Sequence, residues 1–158
     1  MRLAERHLHS DPPFGAEVAD IRCNVHAALD TAVGTVDVAQ ATEVIGVAGT
    51  ITSITAHALG LGYYDPLVIS GSRLPLADVL RSCDALVRMS RTERMALPYL
   101  HPGRVDVIAV GGVSWSTILQ RVADATAHAE RPVEFITTSE HDILDGVALS
   151  CAPDEPAR

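Results

Sequence analysis

At 158 residues, 47% of them hydrophobic, the chain is about one domain long and can bury a real core, which excludes disorder as its general state. The net charge of -8 excludes a general nucleic-acid surface, because phosphate backbones are held by clustered cations. All twelve basic residues are Arg, each a planar fork suited to bidentate phosphate contact, so any polyanion must be held at a local site.

Helix-like sequence follows Met1 at once: Leu3, Glu5, Arg6 and Leu8 suit a short helix that Pro12 and Pro13 stop. From about Ala16 to Val33, apolar positions recur at Val18, Ile21, Val25, Ala28 and Leu29, a helical spacing that Gly34 closes. Val44, Ile45 and Val47 read as a buried strand. A small-residue turn follows, and Thr50 opens the next helix. Gly60 to Pro66 is a loop by its glycine and proline content, and Leu67 to Ser70 a short extended piece. Leu76, Val79, Leu80, Cys83, Leu86 and Val87 mark an amphipathic helix with Pro75 in its first turn. The capping-box spacing of Ser90 and Glu93 starts another helix, which ends by Pro98. Val105 to Val110 alternates like a strand. It nevertheless runs through Gly111-Gly112 into an evident helix, so residues 104–127 are read as one long helix whose small residues admit a close neighbour. Val133 to Thr137 is the second strand, Ser139 to Leu149 a last helix, and the tail from Cys151 frays. Two strands among six or seven helices leave hydrogen-bonding edges open, so partner strands are expected.

The most informative stretch is Glu43 to Leu59, a strand, a nearly bare turn and a helix start. Gly46, Ala48 and Gly49 let backbone amides approach an anion closely, and the unpaired donors and positive dipole end of the helix at Thr50 favour one. The same pattern also serves tight strand-to-helix packing. It is not a Walker loop, which ends in Gly-Lys-Ser/Thr, nor the dinucleotide fingerprint, whose glycine spacing differs.

Other residues invite chemical readings. His7, His9 and Asp11 suggest a metal cluster, but residues two apart on a helix point in different directions, which favours a plain surface role. His101, before Pro-Gly, sits in a loop that either borders a cleft or serves turn chemistry. Arg104 pairs either with an acidic neighbour or with a phosphate. Glu140, His141 and Asp142 stand at a helix start, where the dipole stabilises acids with or without a ligand. Trp115, Tyr63 and Tyr64 are read as core or loop packing. Cys23, Cys83 and Cys151, odd in number and without a CxxC pair, suit a reducing compartment. No segment has the length of a signal peptide's apolar run or of a membrane span, which predicts a cytoplasmic protein with neither membrane nor nucleic acid as partner.

Four blocks together resemble the exopolyphosphatase and guanosine pentaphosphate phosphohydrolase family, especially its actinobacterial members. They are Arg2 to Pro13, Val47-Ala-Gly-Thr50, His101 to Ile108 and Ser139 to Gly146, in that family's order and approximate spacing. The resemblance implies an α/β, ribonuclease-H-like fold of the actin, Hsp70 and sugar-kinase type. Residues 1–150 would be its second, C-terminal lobe without the opening strands, helix-rich with few parallel strands, and residues 151–158 a frayed tail. It implies phosphate or nucleotide contacts at Gly46, Ala48, Gly49, Thr50 and Arg104, with Arg73 a further candidate. It also implies an interlobe hinge at Gly111 and Gly112, and a cleft that His101, Glu140 and His141 border. The complete enzyme would use Mg2+ to release terminal phosphate from inorganic polyphosphate or guanosine pentaphosphate. The family's first-lobe loops and catalytic glutamate are absent from these residues, and Leu144 stands where an Arg often precedes the acidic-Gly pair. The chain alone is therefore expected to be inactive and to need an N-terminal lobe. The alternative is a non-catalytic phosphate- or nucleotide-binding or assembly module, self-associating through an exposed strand edge.

Overall fold

The computed structural model describes residues 7–128 and 133–138. Helix α1, Gly15–Val33, opens where the Glu17 carboxylate accepts from the backbone N–H groups of Phe14 (2.9 Å) and His9 (2.8 Å) and from the Ser10 hydroxyl. It ends at Gly34, whose φ of -63° is still helical, so this glycine is not the left-handed stop that its position suggests. A 3₁₀ turn, Val38–Gln40, then leads into β1, Glu43–Gly46, and α2, Ala48–Ala58.

The next segment differs from the sequence reading. Residues 66–69 are a single helical turn, α3, Pro66–Ile69, and the extended piece lies just beyond it as β2, Arg73–Pro75. Asp65 explains the difference: its carboxylate accepts from the N–H groups of Leu67 and Val68 at 3.0 and 3.4 Å, and Pro66 brings its fixed φ to the first helical position. Gly71, with φ +78°, makes the turn into β2. Pro75 ends this strand and caps α4, Leu76–Arg88, rather than sitting inside it. Helix α5, Arg91–Met95, carries the capping box expected of Ser90 and Glu93. After a 3₁₀ turn at Pro102–Arg104 comes α6, Val107–Ala125, and finally β3, Glu134–Thr137. The alternating residues before Gly111 are thus helical, as expected.

The sheet is mixed, with β3 in the middle: parallel to β1, antiparallel to β2, in the order β1-β3-β2. Register sets Glu43 opposite Glu134, a repulsive pair that Arg73 bridges at 2.8 Å to each. The outer sides of β1 and β2 are unpaired among the described residues.

Phe135 at the centre of β3 is fully buried among Ile51, Ile54, Leu74, Val79, Leu86 and Leu119, with Trp115 edge-to-face on its ring at 6.2 Å. A second cluster, Ile21, Val25, Val110 and Val113, seats α1 on α6. Glycines set the spacing of these layers. A Cβ at Gly46 would strike the Phe135 ring, one at Gly111 the methyl of Thr50, and one at Gly112 would come within 2.8 Å of Val87 Cγ2 and 3.1 Å of the Cys83 carbonyl oxygen. Helix α6 therefore lies against α2 and α4 at backbone contact distance, the close approach that the double glycine foretold. Among the described residues no helix is long and apolar enough to cross a membrane.

Candidate functional site

The parallel strands β1 and β3 end side by side at Gly46 and Thr137, and from Gly46 the chain bends directly into α2. The bend is sharp: Ala48 has φ +72°, a conformation that costs a Cβ-bearing residue about 1 kcal/mol or more. The helix starts at Ala48, two residues before the expected Thr50, and its N-cap Val47 supplies no side-chain hydrogen bond to the first turn. Among the described residues no side chain caps the amides at the positive end of α2. The hydroxyls of Thr52 and Ser53 do not reach these amides; they donate to the Gly49 carbonyl at 3.2 and 2.8 Å.

Four of the cradle residues have distinct environments. Gly46 is buried beneath Phe135 and Ile51, so it is a packing glycine rather than an exposed ligand contact. Thr50 faces Gly111 across the α2–α6 contact. Ala48 and Gly49 are the accessible part of the bend. Above Gly49 lies the guanidinium of Arg104, so close that a Cβ there would overlap its Nη1, Cζ and Nη2 atoms. Arg104 reaches this position from the turn Pro102–Arg104. There His101 acts as cap, its Nδ1 accepting from the Gly103 N–H at 3.1 Å, which leaves Nε2 to carry the proton. Both proposed roles of His101 therefore coexist: it performs turn chemistry and lines the cavity beside Arg104.

That cavity, of about 540 Å³, is walled by Thr52, Ser53, Tyr64, Tyr99, His101 and Arg104 together with Pro98, Leu100 and Pro102. No carboxylate lines it among the described residues. Arg104 has no ion pair or hydrogen bond from its side chain among them either, whereas Arg73 is held by Glu43 and Glu134, Arg91 by Asp106, and Arg94 by Asp11. Of the two arginines that sequence reasoning offered, Arg104 lines this cavity, whereas Arg73 bridges Glu43 and Glu134 on the sheet surface. That reasoning missed Thr52, Ser53 and Tyr99. The two hydroxyls fall on the turn after the cradle, where their spacing could have been noticed; nothing local marks Tyr99.

Tyr99 is nearly fully buried, and its hydroxyl shares a 2.5 Å hydrogen bond with His57 Nδ1 on α2. Burial pushes the phenol up to about 12 and holds the imidazole below its ordinary value, so both stay neutral near neutral pH. The buried Cys83 thiol is likewise pushed up to about 12, chiefly by burial, so it is an inert core group.

His7, His9 and Asp11 do not converge on one point. The His7 ring faces Asn24 at 3.4 Å, the His9 backbone bonds to Glu17, and Asp11 accepts from the Arg91 N–H. Among the described residues no group of three His, Cys, Asp or Glu is placed to hold a metal ion, and the cavity wall offers Mg2+ none of the carboxylates it prefers. Glu140, His141 and Asp142 lie outside the described residues, as do the helix from Ser139, the tail from Cys151 and the chain before His7.

Among the described residues, a helix start without a side-chain cap and an arginine without an ion pair stand together at the ends of parallel strands. The sequence profile of the Ppx/GppA phosphatase family matches residues 1–131, and the chain belongs to that family. Exopolyphosphatase 2 of Mycobacterium tuberculosis, in strains CDC 1551/Oshkosh and H37Rv alike, is 41% identical over 152 residues, 96% of this chain and 46% of the relative. The chain therefore spans about half the length of the relatives it matches. Among solved structures, an exopolyphosphatase-like protein superposes with a TM-score of 0.82 at 38% identity, covering 90% of this chain and 46% of its own. The exopolyphosphatase of Cytophaga hutchinsonii gives 0.65 at 22% identity, over 86% and 42% of the two chains. The Aquifex aeolicus family member gives 0.66 at 20%, over 87% and 41%. The fold is the actin-like one that the resemblance implied. It is helix-rich, with a small mixed sheet rather than parallel strands alone, and it reproduces only part of the solved relatives.

Proposed function

We propose that this chain is the C-terminal, phosphate-holding lobe of an exopolyphosphatase-type phosphohydrolase, and that it performs no hydrolysis by itself. The observation that carries the reading is Arg104. It is a cation without a protein partner among the described residues, laid over Gly49 at the open end of α2 and at the mouth of a cavity. An oligophosphate entering there meets backbone N–H groups on one side and a guanidinium fork on the other, a pairing suited to tetrahedral oxyanions. Among the described residues the lining has no carboxylate to orient or deprotonate water, and the group that activates the nucleophile is assigned to the other lobe. Mg2+ belongs to the complete enzyme, with the substrate's phosphates and that same lobe. The substrate is the terminal phosphoanhydride of inorganic polyphosphate or guanosine pentaphosphate. Gly111, wedged against Thr50, links the cradle to α6 and fits the hinge role. The setting is the cytoplasm.

The test is calorimetric titration of the 158-residue chain with tripolyphosphate. Arg104→Gln is expected to weaken binding about tenfold, the scale of one charge-assisted contact. Equal affinity of wild type and variant would remove Arg104 from the site. A second reading, a non-catalytic nucleotide-binding module, is favoured by Tyr64 and Tyr99 in the same lining, rings on which a base could stack. It requires ATP or guanosine tetraphosphate to bind more tightly than tripolyphosphate in that titration.

A further inference from the structure

On the rim that carries the cradle, the structure has an apolar surface that the phosphate site does not use. Between Gly60 and Ser72 the only charged residue is Asp65. Its carboxylate is turned inward to cap α3 and to accept from Tyr63 Oη at 3.2 Å. What this segment shows to solvent is Tyr63 and Tyr64, Leu67, which is 89% exposed, and Val68. A leucine so exposed next to two tyrosines and a valine, on a chain of net charge -8, calls for a cover.

Its location says what kind. The Gly71 N–H donates to the Thr137 carbonyl at 2.7 Å, and Thr137 stands opposite Gly46 in register, so the end of α3 is tied to the strand ends from which the cradle springs. Tyr64 belongs to both features, lining the Arg104 cavity while remaining 45% exposed. The apolar strip is thus the continuation of one wall of the site toward solvent. The relatives that share this lobe are about twice as long as the stretch this chain matches, and the cavity wall described here lacks a water-activating carboxylate.

We infer that Tyr63, Tyr64, Leu67 and Val68 form the seat on which the complementary catalytic lobe closes, setting the mouth of the Arg104 cavity against it. The inference rests on the phosphate-lobe reading of the same site. The strip suits such a partner: two tyrosines and a leucine give a desolvating anchor of low conformational cost, and with Asp65 occupied there is no charge to bury. Closure here would also shield the cavity from water, which strengthens every charge interaction with Arg104.

The experiment co-expresses the 158-residue chain with the N-terminal remainder of M. tuberculosis exopolyphosphatase 2 and measures the complex by affinity capture and light scattering. Wild type is expected to give a one-to-one complex. Leu67→Asp and Tyr63→Ser, both at exposed positions that leave the core untouched, are expected to weaken it at least about tenfold. Phe14→Asp, an equally exposed apolar site on another element, is expected to change nothing. No complex with wild type, equal loss with Phe14→Asp, or a homodimer that Leu67→Asp dissolves without any mixed complex would each overturn the inference. Tripolyphosphate titration of the same variants separates the two claims. Intact phosphate binding with a lost complex supports the seat, and a Leu67-dependent complex without phosphate binding leaves the seat standing while it sinks the phosphate reading.

Discussion

At the scale of single residues, the glycines divide into those that make room for core and those that make room for Arg104. A Cβ at Gly112 meets the backbone carbonyl of Cys83, which cannot move without shifting α4, so Gly112→Ala is expected to cost about 1–3 kcal/mol, a fall in melting temperature of roughly 3–10 °C. A Cβ at Gly49 meets only the far end of an exposed side chain. Gly49→Ala is therefore expected to leave the melting temperature within about 2 °C while weakening tripolyphosphate about tenfold through the displaced guanidinium. Thermal melts and titrations of both variants decide it; a large loss of stability in Gly49→Ala would make that glycine a packing residue.

His57 gives a pH signature at the same scale. Burial lowers its pKa in the folded state, so the unfolded chain binds the extra proton first. Its contribution to stability is complete above the ordinary histidine value of 6.5 and is lost as pH falls below that, down to the folded-state pKa. Glu17 and Glu93, whose carboxylates are held below 4.5 by hydrogen bonds from Ser10 and Ser90, act only at lower pH. Denaturant midpoints at about pH 7.5 and about pH 5.5 should therefore converge in His57→Gln relative to wild type. An unchanged gap would remove the imidazole as its cause.

Among elements, the turn before α1 is fastened to the start of α5. Asp11 accepts from the Arg91 N–H at 2.6 Å and lies 3.4 Å from Arg94, whose guanidinium is almost wholly buried and also donates to the Met89 and Val105 carbonyls. Asp11→Ala leaves that buried cation without its carboxylate and should destabilise the chain by about 1.5–3 kcal/mol, read from chemical unfolding. A change below about 0.5 kcal/mol would mean that the carbonyls alone satisfy Arg94. Periodicity in the sequence was enough for α1 and α4, because each buries one face. It was not enough for β2: three residues ending in proline carry no alternation to detect, and pairing with β3, some 60 positions away, is what makes them a strand. Residues 67–69 went the other way, from extended to helical, because the capping by Asp65 outweighs the β preference of Val68 and Ile69.

For the whole molecule, the expected outcome is that the purified chain releases no phosphate from polyphosphate. Turnover that survives further purification and disappears in Arg104→Gln would show that the chain carries its own catalytic group. The outer side of β1, unpaired among the described residues, offers a second contact, and self-association through it would appear as a dimer in light scattering. By itself the sequence determined the helix-rich α/β class, the strand-turn-helix of the cradle, the close packing at Gly111-Gly112 and the family, since each is written in local spacing or in short blocks of residues. Tertiary structure alone decided that Gly46 is core while Gly49 lies under a guanidinium, that Arg73 is committed to two glutamates while Arg104 lacks a partner among the described residues, and that Tyr64 and Tyr99 share one cavity. Those assignments depend on which side chains meet across 30 to 89 residues of chain, and such meetings follow from packing rather than from any pattern within a segment.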